Sequence, residues 1–374
     1  MRSTIRIVAS IPDIVDSTRG FERWLKGLIP LRQHELDYKH EMMAADTFSF
    51  LRATFYRWAQ LAPQELPDLA DAPRVLAVGD LHVENFGTWR DLEGRLVWGV
   101  NDFDEAYRLP FTYDIVRLAT SAGLAAAEGH LNIDLKQACA AIMAGYSAAL
   151  RSGGSPMVLA EKDRWLRKLA AGRLRDPVVF WARLQALPTA RGPVPPNLKT
   201  LLVQRLPNGS DAVRYVRRRS GFGSLGRERL VAVADWRGSA VAHEAKAMAP
   251  SAWEWAHRDH AASRIFYLDV ANAAVRCPDP LTELRDGWLL RRLSPDCSRI
   301  ELASLPAQRD EARLLRAMGW EAGNIHLGTR GAGKTILADM KRRKQAWLRE
   351  AATKMGRLVR NDWKEWRAAR RPAA

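Results

Sequence analysis

The stretch GDLHVENF at 79–86, followed by NDFDEA at 101–106, decides how this chain is best interpreted. Each segment follows a short apolar run, RVLAV before the first and RLVWGV before the second, and such runs predict strands. Binding and catalytic side chains are concentrated on loops that a rigid scaffold positions. The two segments therefore predict a site where two strands end.

The spacing within these segments suits phosphoryl transfer. Asp80 at a strand end can accept a proton from an attacking hydroxyl, and Asn85, five residues later, can hold magnesium. Asp102 lies seventeen residues beyond Asn85, where a second aspartate can hold the same metal and the nucleotide phosphates. Asp104 could also reach the metal, or could instead cap the following turn. We predict Asp80 as the base and the other three residues as metal ligands.

These motifs resemble two groups of proteins. GDLHVENF, NDFDEA and YDIVRL are similar to the catalytic core of the aminoglycoside and choline kinase-like phosphotransferases, although Val78 stands where those enzymes usually have His. The closer resemblance is to a large uncharacterised bacterial family, catalogued as a domain of unknown function. Its hallmarks are a Met-rich helix with Phe-x-x-Arg, then GDxHxxNFG, NDFDE and Asp-x-x-Arg-Leu, and the similarity covers most of residues 40–330. The resemblance implies a kinase-like fold and nucleotide chemistry, with Asp114 supporting the catalytic loop.

A glycine turn that could cover nucleotide phosphates comes after the catalytic segments. GFGSLG fits the pattern G-x-G-x-x-G with Gly221, Gly223 and Gly226, and the RERLVAVADW that follows alternates like a strand. A dinucleotide-binding fold needs a helix at that point, so a glycine-tipped hairpin over phosphates fits better. Lys246, on the next predicted strand, would then pair with the phosphates.

Two glutamates are candidates to orient Lys246. Glu254 lies in the predicted helix after it, and Glu244 lies two residues before it. The alternative interpretation of the whole segment is a simple hairpin with an exposed lysine.

The order of these parts predicts the fold class. We expect an α+β, protein-kinase-like, two-lobed fold, circularly permuted so that the catalytic lobe precedes the ATP-grasping lobe, with additional N- and C-terminal helices. The segment MGWEAGNIHLG at 318–328 supports the permutation, because it resembles the helix that precedes the catalytic loop in related kinases. The predicted regions are 1–200, a helical N-terminus plus the catalytic part; 201–304, β-rich and ATP-grasping; and 305–374, helical and basic.

GTRGAGKT at 328–335 satisfies the Walker A pattern but lacks its usual setting. That pattern binds phosphate when a buried strand leads into it and a helix leads out. The preceding EAGNIHL is not a convincing buried strand, and no later strand ending in an acid follows. A glycine-rich connection between helices, or an anion site at a helix N-terminus, is therefore favoured over a P-loop.

The composition narrows the classes of protein to which the chain could belong. The chain has 374 residues, of which 47% are hydrophobic and 27% charged, which suits a globular protein with two lobes or domains. No apolar run approaches the ~18–20 residues that cross a membrane. No signal peptide is evident, and three widely spaced cysteines suggest a reducing compartment. We predict a cytoplasmic protein without a membrane span.

The net charge of +16 suggests anionic partners. Much of the excess lies in RYVRRRS at 214–220 and between Lys341 and Arg371. A solvated basic face is favoured here over a nucleic-acid site, because no nucleic-acid-binding motif accompanies these residues.

The sequence as a whole predicts an ATP- and Mg²⁺-dependent phosphotransferase that acts on a hydroxyl group. A sugar, an amine-bearing small molecule or a protein hydroxyl would each fit as acceptor. Three other functions stay open: a nucleotidyl (AMP) transferase on the same scaffold, a nucleotide-binding regulator without turnover, and a nucleic-acid-binding protein that works through the helices at 340–374.

Overall fold

A computed structural model gives the architecture of the chain and describes residues 11–159, 161, 163–171, 176–192, 194–258, 263–297, 302 and 310–370. In these ranges, helices and three antiparallel sheets make up the fold, so the predicted α+β class is confirmed. Within the described part of the chain, no helix is both long and apolar enough to span a membrane.

Helices build the beginning of the described chain, as the sequence predicts. They are α1 (Ile14–Lys26), α2 (Gln33–Ala45), α3 (Thr47–Ala53), α4 (Phe55–Glu65) and α5 (Pro67–Ala70). Four apolar side chains at helical spacing in this region are buried: Phe48, Leu51, Phe55 and Trp58. α3 begins separately from α2 because the Asp46 side chain caps it, accepting a hydrogen bond from Ser49 N at 2.6 Å.

Short strands carry the two acidic segments. The elements in this part are β1 (Arg74–Ala77), β2 (Phe86–Arg90), β3 (Leu96–Val100), β4 (Tyr107–Pro110), α6 (Phe111–Ala127), α7 (Leu135–Ser152) and β5 (Met157–Val158). β1 pairs with β4, and β2, β3 and β5 form a separate three-stranded sheet. The strands predicted before the two acidic segments are confirmed as β1 and β3, whereas β2 was not predicted.

A five-stranded sheet follows a group of helices. The elements are α8 (Arg164–Ala171), α9 (Pro177–Gln185), α10 (Pro196–Arg205), β6 (Asp211–Val216), β7 (Arg229–Trp236), β8 (Ser239–Ala247), α11 (Ala252–His257), α12 (Tyr267–Ala273), β9 (Glu283–Arg285) and β10 (Trp288–Leu293). The strand order is β6-β7-β8-β10-β9. Residue 200, the predicted edge of the β-rich region, lies inside α10, which packs on β7 and β8. The predicted glycine-tipped hairpin is the connection between β6 and β7.

Three helices complete the described chain: α13 (Glu311–His326), α14 (Ala332–Arg342) and α15 (Trp347–Ala369). The start of the predicted C-terminal region at 305 lies outside the described residues. α15 packs on α6, and its Asp362 forms a buried two-bond ion pair with Arg57 at 2.8 and 3.0 Å. One face of this basic helix is therefore packed against the protein core.

The α7–α13 contact depends on glycine. An added Cβ at Gly319 would lie 2.1 Å from the Ile142 carbonyl oxygen, so the two backbones touch. We expect Gly319→Ala to lower the free energy of unfolding by about 1–3 kcal/mol, because overpacking outweighs the gain in helix propensity. Urea denaturation measures the change. Gly356→Ala in α15 is the matched control, since its nearest neighbours would be 3.8 Å away. Equal effects of the two substitutions would contradict this account.

Candidate active site

A buried aspartate and a histidine from a distant helix anchor the loop that carries Asp80. Asp114 on α6 accepts hydrogen bonds from Val78 N at 2.7 Å and Gly79 N at 2.9 Å. His326 Nε2, at the end of α13, lies 3.1 Å from the same carboxylate. Asp114 and His326 are both fully buried. The expected support of the loop by Asp114 is confirmed. Val78 occupies the loop position where the similar kinases have His, and in this chain a histidine from α13 contacts Asp114 instead.

Gly79 lets the Asp80 loop pass closely over the second acidic segment. Its φ is +77°, in the left-handed region, and an added Cβ would lie 2.1 Å from the Glu105 carbonyl oxygen. Only glycine satisfies both conditions, so the two acidic segments are held against one another at this point.

Asp80 is held by an arginine. Arg117 Nε donates to Asp80 Oδ1 at 2.8 Å, and Arg117 is 1% exposed. Burial raises the pKa of Asp80, although Arg117 opposes this effect. Sequence reasoning missed Arg117. Arg117 could have been found from its position three residues after Asp114 in α6, because that spacing places both side chains on the same helix face.

The predicted metal ligands are brought together. Asn85 Nδ2 donates to the carbonyl oxygens of Asp80, at 3.1 Å, and Asp102, at 3.0 Å. Its Oδ1 is therefore the atom that a cation would use. Asp104 Oδ2 is buried and forms an ion pair with Arg227 Nη1 at 3.6 Å, without a hydrogen bond to a described residue. The carboxylates of Asp102 and Asp104 and the Asn85 amide oxygen are thus oxygen donors of the kind that bind a divalent cation.

Magnesium is the ion that fits these donors, because it commonly binds through one or two carboxylates plus substrate phosphates. Across the described ranges, no three or more His, Cys, Asp or Glu side chains group as a metal site. A magnesium ion here would rest on Asp102, Asp104 and the Asn85 amide oxygen.

Lys246 on β8 reaches the acidic pair. Its Nζ lies 3.7 Å from Asp102 Oδ1 and also contacts Asp104 Oδ1, and the residue is 1% exposed. Burial lowers the pKa of Lys246, while Asp102 and Asp104 oppose that shift. The alternative of an exposed lysine is therefore wrong, because β8 carries the side chain into the interior.

The two candidate glutamates have other partners in the structure. Glu254 accepts a hydrogen bond from Ser263 Oγ at 3.2 Å, and the ion pairs of Lys246 with described residues go to Asp102 and Asp104. Glu244 is fully buried and binds three arginines: Arg218, Arg229 and Arg291. The acidic partners of Lys246 are thus two aspartates, Asp102 and Asp104, and not the expected glutamate.

The glycine turn lies directly over the Asp80 loop. An added Cβ at Gly223 would be 3.4 Å from Asp80 Oδ2. Gly221 and Gly226 have φ of +75° and +93°, which glycine adopts without strain. Lys39 on α2 fastens the turn by donating to the Gly223 carbonyl oxygen at 3.1 Å. Burial lowers the pKa of Lys39 to about 8, and nothing in its sequence surroundings signalled this role.

Two cavities meet at Asp102 and Gly221. The smaller, of about 40 Å³, lies between the glycine turn and Asp80, with Asn85 and Asp104 in its wall. The larger, of about 330 Å³, lies beside the five-stranded sheet. The larger cavity leads to Asp102, whereas Asp80 lies under the glycine turn.

The Walker-like segment has the surroundings that the sequence favoured. It connects two helices, α13 and α14, and Thr329 Oγ1 accepts a hydrogen bond from Leu76 N at 2.7 Å. Lys334 is exposed on α14 and lines neither of these cavities. A strand–loop–helix phosphate site is therefore not formed by these residues.

Residues 32–176 match the model of a family described as an uncharacterized protein conserved in bacteria (DUF2252). The matched stretch includes GDLHVENFG, NDFDE and DIVRL, and it supports the resemblance to a domain of unknown function. Comparisons with curated proteins and with solved structures found no match.

Proposed function

We propose that the protein binds ATP with Mg²⁺ and transfers a phosphoryl group to a hydroxyl acceptor. One observation carries this proposal: Asp80, the pair Asp102–Asp104 and Lys246 converge under a glycine turn although they are far apart in sequence. Phosphoryl transfer needs positioned cations and a group that orients the attacking hydroxyl, and these residues supply both.

Each residue has a role that its contacts support. Asp80 Oδ2, on the side facing Gly223, accepts the proton of the attacking hydroxyl, while Oδ1 stays bound to Arg117. Lys246 binds phosphate oxygens once a ligand draws it from Asp104. Asp102, Asp104 and Asn85 hold the magnesium, which when bound neutralises charge on the phosphates. The glycine turn excludes water from the reacting groups.

The kinase-like, two-lobed and permuted architecture belongs to the same proposal. Lys246 lies on the third strand of the five-stranded sheet, and the glycine turn joins the first two strands, as in protein kinases. His326, at the end of α13, contacts Asp114, which binds the Asp80 loop, and Thr329, just after α13, contacts β1. This suits a helix that in an unpermuted chain would lead into the catalytic loop.

The test is thermal stabilisation by ATP and Mg²⁺, measured for the wild type, Asp102→Ala and Lys334→Ala. A ligand that binds only the native state adds about 2.7 kcal/mol to the free energy of unfolding when its concentration is ~100 times Kd. We expect the shift in the wild type and in Lys334→Ala, and its loss in Asp102→Ala. Each protein is compared with its own ligand-free sample, so a change in its stability without ligand does not affect the measured shift in melting temperature.

Two other results would decide against the proposal. A shift lost only in Lys334→Ala would move the nucleotide to the Walker-like segment. The absence of any shift in the wild type, at millimolar ATP and Mg²⁺, would remove nucleotide binding altogether.

A further inference from the structure

The exposed face of α15 carries a row of basic side chains, which we call the basic stripe. An α-helix turns by about 100° per residue, so the direction of each side chain around α15 follows from its position relative to Arg349. An arc of about 80° holds five exposed basic residues and no acidic residue of the helix. These five are Arg349, Arg357, Arg360, Lys364 and Arg367.

The other side of α15 holds the helix on the protein. Leu348, Met355, Val359 and Trp366 are buried, and they lie between about 200° and 340° on the same scale. This side packs on α6, and the buried ion pair of Asp362 lies on it. The basic stripe is therefore presented to solvent by a helix that is fixed along its length.

Acidic groups of α15 compensate only part of this charge. The ion pairs that the helix makes with described residues are those of Asp362 and Lys354, and both residues lie outside the stripe. Glu350 and Glu365 are exposed beyond its edge, at about 100° and 160°. Even if both are counted against the five basic residues, three positive charges remain. Further exposed basic residues lie before and after the helix: Lys341, Lys344 and Arg370.

The stripe offers charge without apolar anchors. Among the described residues, the large apolar side chains that are well exposed lie outside α15. A helix that lies in a membrane surface needs an exposed apolar face, and a surface that holds single-stranded nucleic acid uses aromatic rings as stacking platforms. Trp363 is only half-buried, but the guanidinium group of Arg367 covers its ring at 4.7 Å. The chemistry of the stripe thus suits phosphates that are contacted from outside.

The length and rigidity of the stripe suit a duplex. From Arg349 to Arg367 it is about 27 Å long, at a rise of about 1.5 Å per residue. This length corresponds to about eight base pairs of B-DNA, at about 3.4 Å each. Duplex DNA is stiff far beyond this length, and α15 is held by its packing. Neither partner therefore loses much freedom when the two rows of charge meet.

We propose that α15 docks the protein on the phosphate backbone of duplex DNA through the basic stripe. Contacts with phosphates carry no sequence information, so binding is independent of base sequence and strongly dependent on salt. This docking is separate from the proposed phosphotransferase function, because no residue of the stripe lines the cavities at Asp80 and Asp102. A contact limited to phosphates needs no sequence motif, which is why the sequence favoured a solvated basic face.

The test is fluorescence anisotropy of a labelled, mixed-sequence DNA duplex of about 20 base pairs, titrated with the full chain over a series of salt concentrations. Each phosphate contact contributes about −0.9 to the slope of log K against log salt, so three to five contacts predict a slope of about −3 to −4.5. The double variant Arg360→Gln, Arg367→Gln should make this slope shallower by about 2. It should also weaken binding by about 10-fold or more at ~50 mM salt.

A control with the same loss of net charge separates the stripe from the charge of the whole protein. Arg167→Gln with Arg183→Gln removes two exposed arginines from α8 and α9, and should leave the slope and the affinity unchanged. Arg349→Gln with Lys364→Gln, a second pair from the stripe, should reproduce the loss. The substituted stripe residues are exposed, so the melting temperature and its shift with ATP and Mg²⁺ should stay as in the wild type.

Several outcomes would overturn the proposal. The duplex could fail to bind at low salt, or both stripe variants could keep the wild-type slope. The control pair could weaken binding as much as the stripe pairs do, which would assign the effect to overall charge. Single-stranded DNA, polyglutamate or vesicles of anionic lipid could bind more tightly than the duplex, which would identify a different occupant of the stripe.

Discussion

Asp80→Asn is expected to lower ADP formation from Mg²⁺-ATP by about 10²–10⁴-fold, the range typical of a lost general base. The asparagine keeps an oxygen for Arg117 but no longer accepts a proton. Stabilisation by ATP and Mg²⁺ should persist, because Asp102, Asp104 and Asn85 are intact. The measurement is release of label from γ-labelled ATP, with water or a screened hydroxyl compound as acceptor.

The control for this substitution is Asp235→Asn, at an exposed position on β7, which should leave ADP formation unchanged. Equal turnover in the wild type and Asp80→Asn would contradict a base at this position. ATP binding without product in both proteins would favour a nucleotide-binding regulator. Transfer of label from α-labelled ATP to an acceptor would instead identify a nucleotidyl transferase.

Asp114→Ala is expected to destabilise the protein by about 3–5 kcal/mol, as for other buried pairs that lose one partner. The substitution leaves Val78 N, Gly79 N and His326 without their shared acceptor. The free energy of unfolding from urea denaturation measures the loss.

Asp134→Ala is the comparison for this effect. Asp134 caps α7 at the surface by accepting a hydrogen bond from Gln137 N, and its loss should cost only about 1 kcal/mol. A cost for Asp114→Ala no larger than this would mean that the anchor contributes little. A double-mutant cycle with His326→Gln then measures the coupling between the two buried side chains.

The residues that form the centre of the site could be predicted from the sequence. Asp80, Asn85 and Asp102 follow short apolar strands, and that pattern depends on neighbours within a few residues. The hairpin around Gly223 and the position of Lys246 on the next strand have the same local origin. β2 escaped prediction because its sequence, FGTWR, contains glycine and begins inside the GDLHVENF motif.

The side chains that contact these residues could not be predicted from the sequence, because they come from distant parts of the chain. Arg117 reaches Asp80 from α6, and Lys39 reaches the glycine turn from α2. Glu244 was one of two candidate partners of Lys246, the other being Glu254, yet it lies between arginines of three different segments. Tertiary packing sets these contacts, and no periodicity in one segment encodes them.

The anchor of the Asp80 loop also determines when the site is completed during synthesis. Asp114 and His326 are 212 residues apart, and the contact between them cannot form until both have left the ribosome. At about 5–20 residues per second, His326 is added roughly 10–40 s after Asp114. A nascent chain that already displays both acidic segments therefore still lacks one support of its loop. Completion of the site is coupled to translation of nearly all of the described chain.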